Sequence, residues 1–317
     1  MDFQLTSLQV DLQEATRAMA RGLYPSARLH QMEREGLDRA AWDELAGAGV
    51  FSLRVPEADG GVGLGSADAV LVLHELGRAL VPGPLVWSHL AAGLDGCDGV
   101  VGGLERPGPG ATAVVQHLDA LDTLVVVDDE GVWRVERPAS LEHRRLDPLD
   151  PLTPVDAVGS VPRGVQVAGP EVAARWRVEG SALVAALLSG LALGACDLTV
   201  AYTKERKQFG RPVGSFQSMK HLLADMLSRA ELSRVATLAA GVHLDQPEVG
   251  HTERIVAGAR VVAGEAAIEN GHRAILSHGG MGFTWEVDAH RYLKRAWVLD
   301  ATFGSVDHHA AALAELL

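Results

Sequence analysis

The second half of this chain contains a series of long segments with helical periodicity, which constrains the fold more than any other feature. Four long segments and a short final one occur there, over residues 181–206, 217–244, 252–277, 287–299 and 307–317. In the second segment, Leu222, Leu223 and Met226 fall on one helical face. Because short connections between long helices favour antiparallel neighbours, residues 179–317 are predicted to form a C-terminal four-helix bundle.

The first part of the chain, residues 1–85, is predicted to be a second helical domain. Amphipathic spacing occurs over residues 5–23 and 38–48, and it occurs again after Ser66, a candidate N-cap. A proline-rich step then ends the last of these helices at Pro82.

The middle of the chain, residues 86–178, is predicted to be a small β region. Short β-type runs occupy residues 112–116, 123–127 and 132–135, with a hairpin turn at 128–131 and loops at 101–110 and 148–162. The predicted fold class is therefore mainly α with a small β middle region.

Composition narrows the classes of function. The 317 residues allow two or three domains, and a net charge of −13 argues against binding nucleic acid, which requires a basic face. Cys97 and Cys196 are isolated, so neither a disulfide framework nor a metal site is predicted. The N-terminus lacks the pattern of a signal peptide, and the apolar run at 182–195 is too short to span a bilayer. The expected location is cytoplasmic.

Two motifs carry the chemistry. The first places Arg206, Gln208, Phe209 and Gln217 around a helix break that begins at Gly210. A permanently charged guanidinium, a ring and two amides suit a polar ligand that contains both phosphate and rings.

The second motif is a glycine-rich turn in the last third of the chain. Gly279, Gly280 and Gly282 follow His278. Glycines at such a turn let the backbone approach a phosphate or a ribose closely.

These residues resemble the acyl-CoA dehydrogenase family. The family pattern Arg-x-x-Phe-Gly…Phe-Gln falls on Arg206, Phe209, Gly210, Phe216 and Gln217, and the order of helical, β and bundle segments is similar. The N-terminal stretch at residues 45–64 is also similar to the family's helix–loop–helix. The resemblance implies an acyl-CoA dehydrogenase-like fold with a truncated β domain.

The resemblance also implies FAD as cofactor and a role for each site residue. Arg206 is expected to pair with the FAD pyrophosphate, and Phe209 to pack on its adenine or ribose side. Gln208 and Gln217 are expected to hydrogen-bond the cofactor. The turn of Gly279, Gly280 and Gly282 is expected to touch a cofactor that is bound across a subunit interface.

The family's chemistry, α,β-desaturation of an acyl-CoA thioester, requires a glutamate base, and this chain lacks one at both usual positions. Phe303 or Gly304 stands at the first, and Gly180 at the second, with Glu179 one residue away. Asp300 is a further carboxylate nearby. No catalytic residue is therefore assigned.

The flavin-ring side of the site is also missing from the sequence. The family's aromatic-Thr-Glu and Gly-Ser-Asp segment has no counterpart between residues 86 and 178. A chain with half of a flavin site resembles the base-less, shortened subunit of bacterial α2β2 acyl-CoA dehydrogenases, notably those acting on steroid-derived CoA thioesters. The expected partners are a second dehydrogenase-like subunit that supplies the base, an acyl-CoA substrate and an electron-transfer flavoprotein.

Two other functions stay open at this point. The chain is alternatively a self-sufficient dehydrogenase that uses Glu179 or Asp300 as base, or a non-catalytic structural or regulatory homologue. Each motif also has a simpler explanation, in which Arg206 pairs with Glu205, Phe209 is a core residue and the glycines form an ordinary turn.

Overall fold

The computed structural model describes residues 4–108, 110–136 and 138–316. Ten α-helices lie within these described residues: α1 (Ser7–Leu23), α2 (Ser26–Glu35), α3 (Arg39–Gly47), α4 (Ser66–Arg78), α5 (Leu85–Ala91), α6 (Pro170–Glu205), α7 (Gln217–Asp245), α8 (Thr252–His278), α9 (Ala289–Asp300) and α10 (Val306–Glu315). Nine strands lie there as well: β1 (Val101–Glu105), β2 (Ala113–Gln116), β3 (Thr123–Asp128), β4 (Gly131–Glu136), β5 (His143–Arg145), β6 (Val155–Val158), β7 (Val165–Ala168), β8 (Lys207–Gln208) and β9 (Arg211–Pro212).

The described chain forms two compact units. The bundle unit comprises residues 4–24, 66–81 and 181–316, and the sheet unit comprises most of residues 25–65 and 82–180. Helices α1 and α4 thus pack with the C-terminal helices, whereas α2, α3, α5 and β1–β7 belong to the sheet unit. The three domains predicted along the chain stay a prediction, because this division reflects packing and not family boundaries.

The bundle unit is built on very close helix packing. A Cβ on Gly190 of α6 would lie 2.0 Å from the carbonyl oxygen of His74 in α4, and one on Gly77 would lie 2.2 Å from that of Leu187. The glycines therefore let two helix backbones touch, which explains the Gly- and Ala-rich sequence of this segment. The carboxylate of Asp245 caps the N-terminus of α4, because it accepts from the backbone N–H groups of Ser66 and Ala67.

Helix α6 is longer than the sequence indicated. It begins at Pro170, where the fixed φ of proline suits the first turn, and its 36 residues are long and apolar enough to cross a membrane by length and composition. In the protein, however, 83% of its most apolar window is buried. A helix buried on all sides is expected to have this composition because it packs against other helices.

The sheet unit contains two small sheets. One has the strand order β1-β3-β4-β7 and the other has the order β2-β6-β5. The predicted hairpin is present, since β3 and β4 pair through Asp128 and Gly131. The loop predictions at 101–110 and 148–162 were wrong in part, because β1 and β6 form there. Gly103 lies in β1, and its lack of a side chain leaves room for the Trp87 ring, which would lie 2.3 Å from a Cβ at this position. The mainly α fold class with a small β region is confirmed.

Buried histidines make the stability of this fold sensitive to acid. His74 lies buried in the bundle unit with Nδ1 2.7 Å from the Ser189 hydroxyl, and burial lowers its pKa to about 4. Between pH 6.5 and 4 the unfolded chain binds a proton at this residue that the folded chain does not bind. The free energy of unfolding therefore falls as the pH falls through this window.

From pH 7.5 to pH 5, His74 is expected to remove roughly 2 kcal/mol of stability. Urea unfolding at the two pH values measures this loss, and His74→Gln should lack it. The same pH dependence in both proteins would contradict the role of this histidine.

Candidate functional site

The helix break predicted around Gly210 is a tight hairpin. Helix α6 ends at Glu205, β8 pairs with β9 through Gln208 and Arg211, and the two loop residues between them both have positive φ. This is the geometry of a type I′ turn. Gly210 accepts a φ of 77° easily, but 51° is an uncommon value for Phe209. The side chain of Phe209 is 92% exposed, so it is not a core residue.

The cations at this hairpin differ in what they contact. Arg211 stacks over the ring of Phe216 at 4.1 Å, and Phe209 meets the same ring edge-on at 6.2 Å. Arg206 is exposed and makes no ion pair among the residues that the structure describes, with Glu205 or with any other carboxylate. Its guanidinium is therefore available to an anion from outside the chain.

The surroundings of Arg206 are basic although the chain carries a net charge of −13. Lys204, Lys207 and Lys220, three of the four lysines in the sequence, lie within this motif or in the first turn of α7. No acidic residue occupies that first turn, and the N-cap residue makes no side-chain cap. Gln217 is the first, exposed residue of α7. Helix N-termini and cations together favour binding of a phosphate.

The second motif lies at the same end of the bundle unit as the first. The rings of Tyr202 and His278 stack with centroids 4.1 Å apart, and the Tyr202 hydroxyl donates to the His278 carbonyl at 3.3 Å. Burial lowers the pKa of His278, so it is neutral at physiological pH. Tyr202 precedes Arg206 by one helical turn and His278 directly precedes Gly279. This contact therefore brings together two segments separated by 76 residues in the sequence.

The three predicted glycines do different things. Gly279 has a φ of 60°, and both it and Gly280 are exposed, with no atom within 4 Å of the point where a Cβ would lie. Gly282 is buried, and a Cβ there would lie 2.3 Å from the Ile275 carbonyl oxygen. Only the first two therefore present open backbone to a ligand, whereas Gly282 allows the turn to pack on α8.

Alanine at these positions should separate the two roles. Gly280→Ala is expected to leave the free energy of unfolding within about 0.5 kcal/mol, because nothing fills the space, and to lower cofactor retention if the backbone approaches a ligand. Gly282→Ala is expected to destabilise by about 1–3 kcal/mol through overpacking. Urea unfolding and bound flavin measure both effects, and a destabilised Gly280→Ala protein would refute the assignment.

The first alternative base, Asp300, is held by a backbone hydrogen bond and by a buried arginine. Its Oδ1 accepts from the Val306 backbone N–H at 3.0 Å and lies 3.4 Å from the guanidinium of Arg260. Arg260 is fully buried and donates to the carbonyls of Leu299, Asp300 and Gly304, each at 3.0 Å. Burial lowers its pKa to about 10, so it stays cationic at neutral pH. Asp300 is thus a partner of a buried arginine and a cap of α10.

The second alternative base, Glu179, belongs to the sheet unit and is almost completely buried. One oxygen lies 3.0 Å from Arg54 and the other 3.4 Å from Arg175. Arg54 also donates to the ring of His89 at 3.1 Å. Two guanidiniums hold this carboxylate in one place, which suits a structural ion pair better than proton abstraction.

Phe303 and Gly304 stand where the family usually has its base, and hydrogen bonds hold the backbone there. The Phe303 carbonyl accepts from Ser181 Oγ at 3.1 Å and from His309 Nε2 at 2.8 Å. A side chain on Gly304 would begin 2.7 Å from a ring atom of His308. Neither residue carries a group that takes up a proton, and the second leaves no room for one. In the described part of the chain, no cluster of His, Cys, Asp or Glu is placed to hold a metal ion.

The exposed residues of the two motifs have the chemistry that the nucleotide half of FAD requires. Arg206, Phe209 and Gln217 and the open backbone at Gly279 and Gly280 match the needs of a pyrophosphate with its ribose and base. The sequence did not predict the Tyr202–His278 contact or the burial of Arg260, because no pattern of neighbouring residues indicates either one. An arginine within the otherwise small and apolar face of α8 was the only hint of the second.

Comparisons with known proteins identify the family of this chain. The chain matches the acyl-CoA dehydrogenase N-terminal domain over residues 6–95 and the acyl-CoA dehydrogenase C-terminal domain over residues 172–317. It is 36% identical over 287 residues to "Acyl-CoA dehydrogenase IpdE2" of Mycolicibacterium smegmatis, an alignment that covers 86% of each protein.

Two solved structures extend the likeness over nearly the whole chain. The "steroid ACAD" Tcur3481-Tcur3483 superimposes with a TM-score of 0.82 at 26% identity, covering 98% of this chain and 97% of that one. The ChsE4-ChsE5 complex from Mycobacterium tuberculosis gives 0.83 at 22% identity, with 99% and 98% covered. At 22% identity, the similarity to the ChsE4-ChsE5 complex shows a shared fold only.

Proposed function

Because this chain belongs to the acyl-CoA dehydrogenase family, whose members are FAD-dependent oxidoreductases, we propose that it is one subunit of a heteromeric acyl-CoA dehydrogenase. In this proposal it completes an FAD site at a subunit interface, and a second, dehydrogenase-like subunit supplies the base. The reaction is α,β-desaturation of an acyl-CoA thioester.

One observation carries the proposal: the side chains that we propose bind the cofactor are exposed, and no carboxylate is free to act as base at the family's positions. Arg206, Gln208, Phe209 and Gln217 all lie on the surface, whereas Glu179 and Asp300 are held by buried or half-buried arginines. A surface that keeps cofactor contacts without the base is expected of a chain that works with a partner.

Each residue has a defined task in this arrangement. Arg206 binds the pyrophosphate with a bidentate, permanently charged group, and the exposed backbone of Gly279 and Gly280 lies against the ribose–phosphate part. Gln208 and Gln217 orient the cofactor by hydrogen bonds, and the ring of Phe209 covers its adenine or ribose side. Bound FAD would supply the acceptor for the β-hydrogen, which leaves as hydride. The proton from the α-carbon goes to the partner's base.

Similar proteins support the choice of partner and substrate. The solved steroid ACAD has a two-protein name, Tcur3481-Tcur3483. Its two-protein name and its description as a steroid ACAD are the two features that we extend to this chain. We propose that the chain forms an α2β2 heterotetramer and that the heterotetramer acts on a steroid-derived acyl-CoA. An electron-transfer flavoprotein as electron acceptor and a cytoplasmic location complete the proposal.

The self-sufficient alternative makes a different prediction for the two carboxylates. If either were the base, Glu179→Gln or Asp300→Asn would lower turnover by ~10²–10⁴. We expect each variant to keep turnover per folded heteromer within about threefold, because the base lies elsewhere. Stability should fall by about 1–3 kcal/mol, since each change removes the carboxylate from a buried or half-buried arginine. Stopped-flow flavin reduction and urea unfolding measure the two effects.

The proposal is tested by flavin stoichiometry. The chain is purified alone and co-expressed with a dehydrogenase-like subunit from the same genome, and flavin absorbance and native mass are measured. Little flavin alone and about one FAD per heterodimer are expected. One FAD per chain in a homo-oligomer would overturn the proposal in favour of the self-sufficient enzyme. A heteromer whose flavin content ignores Arg206 would favour the non-catalytic homologue.

A further inference from the structure

An exposed tryptophan directly follows the glycine turn. Trp285 is 57% exposed and Phe283, two residues earlier, is 75% exposed. Large aromatic side chains are usually mostly buried, so two such exposures within three residues are informative. Neither ring belongs to the packed interior of the bundle unit.

Trp285 is held in place by cationic neighbours from α9. The Nζ atom of Lys294 lies 4.2 Å from the centroid of the indole, and the guanidinium of Arg291 lies 5.9 Å from it. The ring of His290 meets the indole edge-on at 4.7 Å. These contacts orient the indole without burying it, because more than half of the side chain stays in contact with solvent.

Of these two cations, Arg291 pairs with the Asp288 carboxylate at 2.7 Å. Lys294 makes no ion pair with a carboxylate in the part of the chain that the structure describes. It is the fourth lysine of the sequence, and the other three lie in the first motif or in the first turn of α7.

An oriented, exposed indole with a cation over one face suits a purine nucleotide. The base stacks on the ring, which is a favourable and sequence-tolerant contact, and the cation attracts the phosphate. We infer that Trp285 and Lys294 form an adenine-nucleotide subsite. This inference rests on the proposed function, and it adds to it a further residue that contacts the adenine.

Two molecules in the proposed reaction contain this chemistry, FAD and the 3′-phosphoadenosine end of coenzyme A. Trp285 lies three residues after Gly282, so the subsite is continuous with the turn assigned to the cofactor. That continuity favours FAD, and the experiment separates the two sources by probes that lack adenine.

The experiment compares Trp285→Leu with Trp285→Phe in the co-expressed heteromer. Dissociation constants are measured by titrating the flavin-free protein with FAD and with FMN, and acyl-CoA is compared with the acyl-pantetheine that lacks the nucleotide. Trp285→Leu should weaken FAD binding by about 5- to 150-fold, the equivalent of ~1–3 kcal/mol for one base stack. FMN binding should not change, and phenylalanine should restore most of the FAD affinity.

A matched control is the same replacement of another exposed tryptophan. Trp297 is 39% exposed and contacts the His272 ring edge-on, with no lysine over it. Trp297→Leu should leave both flavin constants unchanged. Lys294→Gln should weaken FAD binding less than Trp285→Leu does, because it removes charge and keeps the ring.

The possible outcomes decide the inference. Loss of affinity for FAD but not FMN supports the subsite with FAD as its ligand, and loss for acyl-CoA but not acyl-pantetheine supports it with coenzyme A. Equal weakening of FAD and FMN, no weakening at all, or loss of heteromer assembly would each overturn it, the last by making Trp285 a partner contact. Failure of the proposed function is seen separately, as an Arg206→Ala heteromer that keeps its flavin.

Discussion

Replacement of Arg206 by alanine is expected to lower the affinity of the heteromer for FAD by about 30-fold or more. In the proposed site this guanidinium pairs with the pyrophosphate away from water, and truncating one partner of such a pair costs about 2–5 kcal/mol. Arg206→Lys should be intermediate, since it keeps the charge but loses the bidentate geometry. The measurement is flavin per heterodimer after gel filtration, followed by titration of the flavin-free protein.

The stability of the chain provides the internal control. Arg206 is exposed and has no carboxylate partner among the described residues, so its loss should change the free energy of unfolding by less than about 0.5 kcal/mol. Arg234→Ala serves as the matched variant, because Arg234 pairs with Glu231 on α7 outside both motifs. It should leave flavin content unchanged. Equal flavin loss in both variants would show a general effect of charge and would contradict the assigned contact.

Replacement of Gly190 by alanine is expected to lower the free energy of unfolding more than any other glycine-to-alanine change in the described bundle unit. The added carbon would lie 2.0 Å from the His74 carbonyl oxygen and 2.7 Å from the Arg78 backbone nitrogen. Both are backbone atoms, so α4 and α6 must move apart. We expect a loss of about 3 kcal/mol, the upper part of the range for overpacking, measured by urea unfolding.

A second glycine in the same unit shows what the methyl group does without a clash. Gly258 lies within α8 with no atom within 4 Å of the added carbon. Gly258→Ala should therefore stabilise the protein by about 0.5–1 kcal/mol through helix propensity. A loss of stability at Gly258, or none at Gly190, would contradict the packing of this unit.

Much of the site was predictable because its signals are local. Residue types at fixed spacing predicted a helix break before Gln217 and a turn at Gly279. The structure has both elements at those positions, with Arg206 at the start of the break. The exposure of Phe209 was not predictable, since the same ring is apolar enough for a core. The strand at Val101–Glu105 was missed for a related reason. Its glycines indicate a loop, until Trp87 and Leu121 are seen to fill the space above them.

The sequence by itself determined the helical segments, the acidic composition, the two motifs and the lack of a glutamate at the positions where the family has its base. Those are properties of periodicity and of single residues, which need no partner in space to be recognised. Only the tertiary structure decided that Tyr202 and His278 join the two motifs, that Arg260 holds Asp300, and that Arg54 holds Glu179. Such contacts link residues that are 40 to 125 positions apart, and they form only when whole helices pack.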